Sequence, residues 1–71
     1  MRSIGEAMRE CRQKRGFSAS ELASLAGVSI TSIYHAEQNR HYPGVLFLTS
    51  CADVLGVTLD EYIGREVRRI K

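Results

Sequence analysis

Tryptophan is absent from this 71-residue chain, proline occurs once and cysteine twice. No apolar run approaches the roughly 18 residues needed to cross a bilayer, which excludes a membrane-spanning role. The opening stretch "MRSIGEAMRECRQKRG" lacks the apolar centre of a signal peptide, so the expected location is the cytoplasm. Two cysteines with no C-x-x-C spacing do not build a disulfide framework. Cys11 and Cys51 read as reduced core residues, with a bridge between them as the alternative. Charge of one sign is also scarce: the net +2 and pI near 8.8 lean basic without deciding a partner. The length leaves room for one small domain and none for a catalytic unit beside a regulatory one.

What is present is the balance of an ordinary globule, 44% hydrophobic and 25% charged. Ile4, Ala7, Met8 and Cys11 fall at i, i+3, i+4 and i+7, the stripe of an amphipathic helix capped by Ser3 with Glu6 and stopped by Gly16. A second helix begins at the capping box Ser18/Glu21, with Phe17 stapling onto Leu22, and carries Leu22, Ala23, Leu25 and Ala26 on its apolar side. Gly27 ends it. Ser29 then caps a third helix running to about Gln38, with Ile33, Ala36 and Glu37 inward, and Asn39 stands where a left-handed residue is needed. Val45, Leu48, Ala52 and Leu55 mark a fourth helix, and Thr58 with Glu61 opens a short fifth. The chain reads as all-α, five helices without strands, in one domain over residues 1–64. Residues 65–71, "REVRRIK", are a basic tail or an extension of the last helix.

The break at Gly27 carries the most information. Two helices crossing steeply over a turn of three or four residues need small residues at the crossing and a turn residue without a Cβ clash. Ala23, Gly27 and Ile33 meet that need, and this is the helix-turn-helix pattern.

Taken whole, "IGEAMRECRQKRGFSASELASLAGVS", "SIYHAEQNRHYP" and "CADVLGVTLDEYI" resemble the Cro and phage-repressor type of helix-turn-helix domain over residues 4–63. That family is also called xenobiotic-response-element-like bacterial and phage regulators. The resemblance implies a compact, lambda-repressor-like five-helix bundle that places its third helix in the major groove of double-stranded DNA, usually as a homodimer repressing transcription. On a helix so placed, the first residues and those one turn later face base edges, here Ile30, Thr31, Ser32 and His35. Phosphate contacts are expected from Ser29 and the helix start, from Ser18, Ala19 and Ser20, and from the loop residues Asn39, Arg40, His41 and Tyr42. Tyr34 has three open readings: a phosphate contact, the edge of the core, or solvent. The resemblance also implies a partly buried structural ion pair between Arg12 and Glu37.

Three positions depart from the family's habit. Ala19 stands where a phosphate-binding Gln is common, and Asn39 replaces a Gly. Leu46 lies about 160° from the core stripe of its helix, where a charge is usual. With Phe47 and Val54 it extends an apolar surface, so a dimer interface is expected from Leu46, Phe47, Tyr62, Val67 and Ile70. A rival reading makes that surface the binding face of an antitoxin for a toxin protein, with DNA binding secondary. His35 and His41 lack ligand spacing and no catalytic constellation is present, so neither a metal, a cofactor nor an enzyme is expected.

Overall fold

Four of the five helices begin on a serine or threonine whose side chain accepts a backbone N–H of the first turn, and this local chemistry sets most of the boundaries. In the computed structural model, which describes residues 3–40 and 43–64, they are α1 (Ile4–Lys14), α2 (Ala19–Ala26), α3 (Ile30–Glu37), α4 (Val45–Leu55) and α5 (Leu59–Ile63). No strand occurs among the described residues. Ser3/Glu6, Ser18/Glu21 and Thr58/Glu61 are all reciprocal capping boxes.

The helices pack as α1 on α3 and α5, α2 on α3 and α4, and α4 on α5. Met8, Leu22, Ile33, Cys51 and Tyr62 are fully buried where these contacts meet. Burial of a side chain the size of Leu22 or Ile33 stabilises by about 1.5–3 kcal/mol, so a few such residues supply a large part of a small domain's stability. Both cysteines are free thiols, Cys51 in the core and Cys11 half-buried at its edge, so no bridge joins them.

The structure corrects three expectations. Leu25 is 64% exposed rather than apolar-side core, because at 100° per residue it lies about 110° from the centre of the Ala19, Leu22, Ala23 and Ala26 stripe. Val45, in the first turn of α4, is also exposed, and Cys51 joins Leu48, Ala52 and Leu55 on the buried face. Tyr62, expected on a dimer surface, has no exposed area at all. Its ring fills the core, and its hydroxyl has no partner of acceptable hydrogen-bond geometry. Burial, with the Cys51 thiol close by, pushes its ionisation far above the ordinary tyrosine range.

Residues 41, 42 and 65–71 lie outside the described residues, and with them the expectations for His41, Tyr42, Val67 and Ile70 and for the tail. Among the described residues, no helix is long and apolar enough to cross a membrane.

Candidate nucleic-acid interface

Gly27 takes the left-handed conformation (φ 73°), which returns the Val28 N–H to the Ala23 carbonyl and turns the chain into α3 within three residues. Ser29 then caps α3: its Oγ accepts the Ser32 N–H at 3.0 Å, and the Ser29 and Ser32 hydroxyls lie 2.8 Å apart. Part of the hydrogen-bonding capacity of Ser32 is therefore committed to the cap.

Ile33, Ala36 and Glu37 face inward and the remaining α3 residues face out. At 100° per residue Ile30, Thr31, Tyr34, His35 and Gln38 span about 140° of the helix, with Tyr34 and Gln38 between Ile30 and His35. All five are exposed. Tyr34 is 45% exposed and Ile30 37%, so the core-edge reading of Tyr34 falls away. Gln38 shares this face and went unnoticed in the sequence because it stands at the helix end. Its place one turn after Tyr34 was the available signal. The face holds no carboxylate; the single acid of α3, Glu37, is turned into the protein.

That inward acid is the centre of the support. Arg12 donates from Nε to Glu37 Oε2 at 2.8 Å and from Nη2 to Oε1 at 3.0 Å, a bidentate pair with both residues buried. Its Nη1 donates to the Phe17 carbonyl at 3.0 Å, so one side chain joins α1, the turn into α2, and α3. These hydrogen bonds to the Glu37 carboxylate hold the guanidinium more firmly protonated than usual. Gly5 completes the contact. A Cβ on it would sit 2.7 Å from the Ala36 carbonyl oxygen and 2.8 Å from Asn39 Oδ1, and closer still to the Glu37 carbonyl oxygen. Its position inside α1, where Gly costs about 1 kcal/mol against Ala, was the sequence signal for this close approach.

The expected phosphate residues divide. Ser18 Oγ and N–H are both used in the α2 capping box, and the Ala19 side chain is buried. What α2 can offer an anion is the Ala19 and Ser20 amides of its first turn, which no helical carbonyl reaches, and the exposed Ser20 hydroxyl. Asn39 is left-handed (φ 61°) and spends its side chain on α1: Oδ1 accepts the Gly5 N–H at 3.0 Å and Nδ2 donates to Ser3 Oγ at 2.9 Å. Arg40 is exposed and forms no ion pair among the described residues. Those residues also contain no group of three or more His, Cys, Asp or Glu placed to hold a metal ion.

The family model described as helix-turn-helix matches residues 8–62. Among solved structures, SinR, the master regulator for biofilm formation, in complex with DNA is 33% identical, with 84% of this chain and 97% of that one covered at a TM-score of 0.78. The N-terminal DNA-binding domain of SinR from Bacillus subtilis is 31% identical over 93% of this chain and 96% of that chain, TM-score 0.79. The P22 c2 repressor in complex with a synthetic operator is 25% identical over 89% and 94%, TM-score 0.78. No match is found among curated proteins.

Proposed function

This chain belongs to the helix-turn-helix family of Cro and repressor type, and from that membership we propose that it is a dimeric, sequence-specific repressor that reads double-stranded DNA with α3 in the major groove. The observation that carries the proposal is the acid-free outer face of α3, where Ile30, Thr31, Tyr34, His35 and Gln38 stand exposed on a helix whose opposite face is locked into the core. Ile30 and Thr31 suit thymine methyl groups, and His35 and Gln38 supply hydrogen bonds to base edges. Ser32 lies beside this face and contributes its remaining hydroxyl capacity. Backbone grip comes from the start of α2 and from the Ser29 end of α3, with Arg40 supplying the charge.

A monomer with so little positive charge would bind weakly, so two copies are required. Leu46, 84% exposed, with half-buried Phe47 beside it, is the apolar surface for that pairing on the described part of the chain. Two α3 helices would then stand about 34 Å apart, one turn of DNA.

Selection of binding sites from a random duplex pool at about 150 mM salt tests the proposal, because such salt suppresses nonspecific phosphate binding. Enrichment of an inverted repeat with half-sites about 10 base pairs apart is expected. Absence of any enriched sequence would overturn it and shift attention to the α4 surface as a protein-binding face.

A further inference from the structure

Among the described residues, five chain turns use a left-handed residue, at Gly16, Gly27, Gly56, Gly64 and Asn39. Four are glycine, which adopts that conformation without steric penalty. Asn39 is the exception, and its side chain shows what the substitution provides. Its amide reaches the start of α1, a region more than thirty residues earlier, accepting from the Gly5 N–H and donating to Ser3 Oγ. Ser3 is itself the cap of α1 and is held by Glu6. Around the same residue the backbone closes a two-bond cap on α3: the Asn39 N–H bonds the Ala36 carbonyl and the Arg40 N–H the His35 carbonyl, at 3.2 and 2.9 Å.

We infer that Asn39 is a positioning residue for Arg40: its side chain pins the end of α3 to α1 and so fixes where Arg40 leaves the helix toward a DNA phosphate. The inference rests on the DNA-binding reading above. Arg40 follows Asn39 directly, its own amide is tied to α3, and no acid among the described residues competes for its guanidinium. Its long side chain is exposed, and its root is held by that backbone bond. The side-chain amide of Asn39, already engaged with Gly5 and Ser3, acts through its neighbour rather than on the nucleic acid.

The test is a double-variant cycle on a nonspecific duplex, measured for the wild-type chain, Arg40→Ala, Asn39→Gly and the pair between about 50 and 200 mM salt. Glycine keeps the left-handed turn and removes only the anchor. One phosphate contact contributes about 0.9 to the slope of log affinity against log salt, roughly a three- to fourfold change over that range. Arg40→Ala is expected to lower the slope by about one contact per bound protomer in the wild-type background, and by less than half of that after Asn39→Gly. Equal losses in both backgrounds would overturn the positioning role while leaving Arg40 as a phosphate contact. If Asn39→Gly does not fold, Ser3→Gly tests half of the anchor, since it deletes the acceptor for Nδ2 at little cost to the α1 cap and leaves the Gly5 bond; a smaller reduction in the same direction is then expected. Failure of the wild-type chain to bind duplex at about 50 mM salt would remove the DNA-binding reading itself, and this inference with it.

Discussion

The two ends of α3 are built on opposite plans. At the C-terminal end Glu37 is buried against Arg12, Asn39 is bonded to Gly5 and Ser3, and the backbone of Gly5 lies against the last turn of the helix. At the N-terminal end a single serine caps the helix, and Ile30, Thr31 and Ser32 are exposed. The difference separates orientation from contact. One end sets the angle of α3 through α1, so residues at the other can change chemistry without loosening the helix.

The largest effects should come from breaking the tied end. Glu37→Ala leaves the Arg12 charge buried without its partner, and loss of one member of a buried pair costs about 3–5 kcal/mol. Since small domains hold only about 5–15 kcal/mol in all, urea unfolding should show a sharply lowered midpoint. A variant melting like wild type would mean the pair contributes nothing to orientation. Gly5→Ala comes next, at about 3 kcal/mol, because the added methyl meets backbone carbonyls that cannot swing aside. Near-wild-type stability there would show that α1 and α3 separate easily, and the contrast between the two ends would collapse.

These two cases also mark what could be read from sequence. The capping boxes at Ser3, Ser18 and Thr58 were legible because each is closed within three residues. The turn at Gly27 was legible for the same reason. The Gly5–Asn39 bond joins positions 34 apart, and nothing local in either segment names the other. Tyr62 misled because an amphipathic residue on a five-residue helix suits a surface and a core equally; only the packing of α1 and α4 around it decides. Of the candidate interface, the outward face of α3 followed from periodicity. The fate of Ser18, Ala19 and Asn39 depended on hydrogen bonds and burial that periodicity does not report.

A smaller effect separates the tied end by pH. Hydrogen bonds from the Ser3 backbone and side chain hold the Glu6 carboxyl below its ordinary value of 4.5, and Thr58 does the same for Glu61. A group lowered in the folded state binds protons less readily than in the unfolded chain. Its contribution is therefore complete above about pH 4.5 and disappears as pH falls through the lowered folded value. Acidification should weaken the α1 start, to which Asn39 is bonded, and a Glu6→Gln, Glu61→Gln variant should show a flatter stability profile below that pH. An unchanged acid profile in the double variant would show that these caps do not link protonation to folding.

The smallest expected change in stability bears most directly on the free end. The third helical position is glutamate in α1, α2 and α5 and completes a capping box each time, whereas in α3 it is Ser32. A glutamate there would satisfy the Ser29 N–H and favour the helix dipole, a gain of about 0.3–1 kcal/mol. Its absence gives up local stability at the helix start proposed to meet base edges as well as phosphates, where a carboxylate would be repelled. Ser32→Glu should therefore raise the unfolding midpoint slightly while lowering duplex affinity at least about tenfold, as like-charge repulsion at a phosphate contact requires. A variant that gained stability and still bound DNA as wild type does would show that the N-terminal end of α3 is not the surface that approaches the duplex.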